Sequence, residues 1–150
     1  MSVETVESDV VAHLAAEVAS LTANQNVRRG PQMPASQNQS VPGAVPEECV
    51  FVLLTGGPKS VVFNGSEPSD SDPTIFKGED YPTVQVWIRS FPKDYDGGRN
   101  LALSVLRAID RKPPSGYFEA EVFGSAPDFI REDDENRYEW SINATLKICR

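Results

Sequence analysis

The sequence predicts an α+β fold, in which a mostly antiparallel sheet is packed on one face by two helices as a single two-layer domain over residues 1–150, with a long extended arm at 24–48. Two observations carry this reading. Two segments repeat apolar residues every three or four positions, as one face of a helix does, and several others alternate at period two, as half-covered strands do. At 150 residues and 16.5 kDa the chain can bury one ordinary core without disulfides or metal.

Val3, Val6, Val10, Leu14, Val18 and Leu21 form one helical stripe, so a helix is predicted over about residues 3–22, with Ser2 or Thr5 as its cap. Residues 24–48 change to Gln, Asn, Ser, Pro and Gly. Such a stretch is long for a connection inside a compact domain, and ordering against another chain is expected. Cys49–Thr55 reads as a buried strand, Gly56-Gly57-Pro58 as a turn, and Ser60–Gly65 as a return strand or hairpin arm. Residues 66–80 carry Pro68, Pro73 and Gly78 and read as an exposed loop.

The segment from Tyr81 alternates Val84, Val86 and Ile88 with Thr83, Gln85, Trp87 and Arg89, which predicts a strand covered on one face. It leads into a helix capped by Asp94 or Asp96, with Ala102, Val105, Leu106 and Ile109 inward, stopping at Arg111-Lys112 before Pro113-Pro114. Tyr117–Gly124 gives another half-exposed strand, followed by a turn-rich acidic segment. The last strand alternates without a break, placing Tyr138, Trp140, Ile142, Ala144, Leu146 and Ile148 on one face.

Fourteen Lys and Arg against 22 Asp and Glu give a net charge of −8. The cations are scattered, apart from the pair Arg28-Arg29, so the clustering that releases counterions from nucleic acid is missing. The longest apolar run, Val50–Leu54, is far too short to cross a bilayer, and a soluble protein is expected. The start of the chain has acidic residues where a signal peptide carries basic ones, so export is not expected. Cys49 and Cys149 sit in strand-like segments and read as reduced thiols.

No catalytic, cofactor or metal site is predicted. His13 is the single histidine and lies beside a helical stripe with no nucleophile oriented toward it in the sequence. One His and two distant Cys do not make a tetrahedral zinc set. Thr55–Ser60, TGGPKS, departs from the phosphate-loop pattern and loses an amide at Pro58. Glu132–Glu135, EDDE, lacks the ligand rhythm and Gly of a calcium loop. Trp87 and Arg89, on the polar side of their strand, are residue types enriched at interface cores, set against the alternative that Trp87 is covered by its own chain.

Several segments in order resemble the tail terminator proteins of long-tailed bacteriophages. They are the N-terminal amphipathic helix; YPTVQVWIRS with Pro82, Val84, Gln85, Val86 and Arg89; Asp94-Tyr95 opening a helix with Leu101-Ala102; and the ending with Pro127, an acid near Asp134, Arg137, an aromatic at Tyr138 or Trp140, and a long final strand. The arm at 24–48 departs from that pattern. The resemblance implies a structural virion protein and not an enzyme, made in the host cytoplasm. It would form a ring, usually a homohexamer, at the head-proximal end of the tail, stop polymerisation of the tube and offer a joining surface to the head connector. The alternative is a head-completion or stopper protein of the neck. Its partners would be other copies of itself, the tail tube protein and the neck proteins, with DNA passing through unbound; no cofactor and no membrane are implied. Interface positions expected on this reading are Val41, Val45, Ile75, Phe76, Trp87 and Arg89.

Overall fold

In the computed structural model, residues 5–58, 61–62 and 78–149 are described. Helix α1 (Val6–Glu17) buries Val6, Val10, Val11 and Leu14. It ends before the predicted residue 22, yet Val18 and Leu21 stay buried beyond it. Asn26 explains the early stop: its side chain accepts from Thr22 N (2.6 Å) and donates to Ser20 O (2.7 Å), while Asn24 takes a left-handed φ of 62°. Asn side chains compete with helical bonding in this way, so the apolar stripe continues along a folded turn. Thr5 donates to the Asp9 carboxylate (2.9 Å) and caps no amide.

The sheet contains β1 (Val27–Arg29), β2 (Cys49–Gly56), β3 (Val61–Val62), β4 (Gly78–Asp80), β5 (Thr83–Pro92), β6 (Glu119–Val122), β7 (Asp128–Glu132) and β8 (Arg137–Cys149). Its order is β1-β2-β5-β8-β4-β3, with β6 and β7 lying along the other side of β8. Every pairing is antiparallel except β1 with β2. The α+β reading holds, with α1 and α2 (Tyr95–Ile109) on one face.

The period-two patterns fall where they were predicted. Val50 and Val52, Val84, Val86 and Ile88, and Trp140, Ile142, Ala144, Leu146 and Ile148 meet the helices in one core. Asp94 caps α2, accepting from Gly97 N at 3.0 Å, and Leu101, Ala102, Val105, Leu106 and Ile109 face inward. Gly98 marks the closest approach of α2 to the sheet: a Cβ there would lie 2.5 Å from Ser90 Cβ and 2.5 Å from the Trp140 ring.

Three local expectations are corrected. The predicted hairpin between Cys49–Thr55 and the following strand does not form, because both sides of β2 are taken, by β1 and β5, and β3 pairs with β4 instead. Gly56 and Gly57 steer that departure at φ 103° and 138°, and a Cβ on Gly57 would sit 2.1 Å from Tyr81 O. The predicted loop at 66–80 ends in strand β4, and its residues 66–77 lie outside the described ones. The acidic segment before the last strand holds β7, whose five residues are all exposed; a strand exposed on both faces offers no burial alternation for the sequence to display.

Candidate assembly surface

The sheet face away from the helices is built from the alternate residues of β2, β5 and β8. In register across it stand Cys49, Arg89 and Glu139, joined by Arg131 of β7. Arg89 and Glu139 are each only 1% exposed. Two charges at that depth need partners, and the arm supplies most of them. Arg89 donates through Nε to Glu47 O (2.8 Å), through Nη2 to Pro46 O (2.7 Å) and through Nη1 to Met33 O. Its guanidinium also lies over the Phe51 ring, 5.4 Å from the centroid. Burial, and then the neighbouring Arg137 charge, pull Arg89 below the usual arginine range.

Glu139 accepts from Arg131 Nε (2.8 Å) and from the Gln32 side-chain amide of the arm. Arg137 bridges Asp133 (2.8 Å) and Glu47 (3.0 Å). Burial raises the Asp133 carboxyl, but bonds from Arg137 and from the Glu135 amide outweigh it and hold Asp133 below the usual carboxylate range. These groups surround a cleft of about 360 Å³. Among the described residues no buried side-chain polar atom lacks a partner, and Arg89, Arg137 and Glu139 each bond the arm.

A second arginine fastens the rest of the arm. Arg28 donates to Gln25 O (2.7 Å), Gly43 O (3.1 Å) and Ala44 O. Ser36 closes the loop between them, its amide bonding Val45 O (2.8 Å) and its hydroxyl accepting from Val45 N (2.7 Å). The expectation that the arm needs another chain is therefore corrected: its order comes from its own sheet, through carbonyls that the sequence cannot single out because every residue type carries one.

The six interface positions divide accordingly. Val45 is buried with Cys49 and Phe51, and half-buried Trp87 packs on that cluster. Arg89 is internal. Val41, at the arm's tip, is 51% exposed. Ile75 and Phe76 lie outside the described residues. The structure thus packs Val45 of the arm on the cluster that Trp87 joins, sets Arg89 beneath the arm, and leaves Val41 apart from them. The alternation of β5 had suggested an exposed polar side; β5 is central in the sheet and its second face is roofed.

Sequence reasoning missed Glu139 under the arm, Arg28 and Gln32 within it, and the exposed apolar residues at β7. There Phe129 (50% exposed) and Tyr95 (42%) meet each other, Tyr138 and Trp140 with ring centroids 5.2–5.9 Å apart at the closest contacts, and the next residue of β7, Ile130, is also exposed (42%). The available signal was DFIRE, two apolar residues inside an acidic stretch.

Elsewhere side chains act as ties. His13 Nε2 lies 2.8 Å from Ala108 O, and Tyr117 donates to Asp9 (2.6 Å), clipping α1 to α2 and to the approach to β6. Among the described residues no group of three or more His, Cys, Asp or Glu is placed to hold a metal ion, and no helix is long and apolar enough to cross a membrane. Both cysteines are free. Burial pushes the Cys49 thiol up to about 11, against the opposing pull of Arg89 and Arg28. Thiolate is the reactive form, so iodoacetamide at pH 8 is expected to label partly exposed Cys149 well before Cys49. Peptide mass spectrometry showing equal rates would contradict the arm's seal over Cys49.

A small α+β scaffold with an internally latched arm and exposed apolar side chains along its sheet has the equipment of an assembly component. The sequence model for the bacteriophage tail terminator protein matches residues 20–150, and the chain belongs to that family. The match runs through the arm and begins after α1. A comparison with curated proteins gives no match. The protein is thus a structural component of the phage tail.

Proposed function

We propose that the protein forms a ring on the head-proximal end of the tail, stops polymerisation of the tail tube and presents the joining surface to the head's connector. The observation that carries this reading is the family match over residues 20–150. The structure supports it in kind: Arg89, Arg137 and Glu139 of the polar cleft are paired within the chain, while large apolar side chains stand exposed along the side of β8 that carries β6 and β7, among them Phe118, Phe123, Phe129 and Ile130. A net charge of −8 per subunit, with Glu119 and Glu121 exposed on β6, suits a bore through which DNA slides without adhering.

The test is polymerisation of tail-tube subunits with and without the purified protein, followed by negative-stain length measurement. Short tubes bearing a ring at one end are expected. Tubes of unchanged length with bare ends, or capture of the portal complex in place of the tube, would refute tube termination.

A further inference from the structure

Among the described residues, strand β7 hydrogen-bonds a neighbour on one side only, β8, so its other side is a sheet edge with no described strand against it. Such an edge is a template for another chain unless it is blunted. Here it is not covered: all five residues of Asp128–Glu132 are exposed, and Phe129 and Tyr95 form an aromatic step beside it at a ring-centroid distance of 5.9 Å. Half-exposed aromatic clusters next to open backbone are typical interface anchors.

The charges on this edge choose its partner. Asp128, Glu132, Asp134 and Glu135 are all exposed, and the one cation of the strand, Arg131, is engaged by Glu139. Antiparallel pairing of β7 with its own copy about Ile130 would set Asp128 against Glu132 twice, and like charges directly opposite are destabilising. A two-fold dimer through this edge is thereby disfavoured. The other end of the same sheet is β1, which carries exposed Arg29. Gly30 N bonds Val52 O (2.7 Å) and Val50 N bonds Asn26 O (2.8 Å), so the alternation of the ladder directs Arg29's amide and carbonyl away from β2. One end of the sheet is acidic and apolar; at the opposite end Asn24 N already bonds Val27 O (2.9 Å), and Arg29, whose Nη1 lies 3.4 Å from Ser8 Oγ, is the exposed cation of β1.

We propose that the protein assembles head to tail, the β7 edge of one copy docking against the β1 edge of the next, with Arg29 facing the Asp128–Glu132 acids and the Phe129 step buried at the contact. Unlike faces joined in this way form closed rings when the rotation closes. The inference rests on the ring reading above, whose subunit contact it assigns.

The test uses the full chain in three forms: wild type, Asp128→Lys with Glu132→Lys, and Arg29→Glu. All three positions are exposed, and circular dichroism melts confirm folding. Native mass spectrometry across a concentration series is expected to show rings for wild type and at least about ten-fold weaker assembly for each variant alone, as charge reversal at a contact produces. Mixing the two variants equally is expected to restore rings of alternating subunits, since both contacts are then complementary. Variants that assemble as wild type does, a mixture that stays apart, or a wild type that forms no ring alone or on tube ends would each overturn the proposed contact. Tube capping separates the two readings. Variants that ring and cap like wild type refute the contact and leave tube termination standing; wild-type rings that obey the charge exchange but cap no tubes support the contact and refute the function.

Discussion

Arg89→Ala is expected to lower the melting temperature by roughly 10 °C. The guanidinium holds Met33 O, Pro46 O and Glu47 O at once, and truncation leaves three part-buried carbonyls without that donor while removing a positive charge near buried Glu139. Unpaired buried polar groups cost about 1–3 kcal/mol each, and stripping a buried charge of its partner costs about 3–5 kcal/mol. These overlap, so about 3–5 kcal/mol in total is the reasonable scale, at about 2–4 °C per kcal/mol for a chain of this size. Arg89→Lys should recover only part of the loss, because an ammonium cannot reproduce the planar fork that reaches three carbonyls. The arm should loosen with it: limited subtilisin digestion is expected to cut within residues 31–48 far faster in Arg89→Ala. An unchanged melt and unchanged cleavage would show that the arm is held by something other than this arginine.

Gly98→Val is expected to be at least as damaging, although valine is a better helix former than glycine. The position sits in the first turns of α2 where the helix presses on β5 and β8. Even the first added carbon would lie 2.5 Å from both Ser90 Cβ and the Trp140 ring. Ser90 is fully buried and its hydroxyl is engaged, accepting from Tyr138 N (2.9 Å) and donating to Phe91 O (2.7 Å). Trp140 is wedged among Tyr95, Phe129 and Tyr138. Neither can yield cheaply, and overpacking costs about 1–3 kcal/mol or more; with two branches to place, the upper end or beyond is expected in chemical denaturation. Gly97→Ala gives a control on the same helix. The atoms nearest its added carbon are those of the Asp94 carboxylate, the movable end of a side chain, so the loss should stay near the value of one cap, about 1 kcal/mol. Equal losses at the two glycines would contradict the close approach at Gly98.

The parts of this fold that were legible in the sequence share one property: a face buried by its own neighbours. The alternation of β5 and β8 and the stripe of α2 translate directly into core, because one side of each touches the other layer. The first helix was read too long because burial and helicity part company after Glu17, where Asn26 reshapes the chain while Val18 and Leu21 remain inside. The arm was legible as composition and illegible as structure. Its order depends on Arg28 and Arg89 gripping backbone carbonyls, and nothing in the Gly, Ala, Pro and Glu residues that contribute those carbonyls records the fact. Arg89 was read as an exposed contact residue and lies buried under the arm, since a charged residue on a strand's polar face reads as exposed until the roof over that face is known. The β7 edge was missed for the opposite reason, since a strand covered on neither face leaves no period.

The ring at the tail's head-proximal end is the central claim, and direct labelling tests it. Tails separated from heads, carrying an epitope tag on this protein and imaged by electron microscopy with gold-labelled antibody, are expected to show label at one end of each tube, the end opposite the tip that meets the host. Label distributed along the tube, or at the host-facing tip, would contradict it.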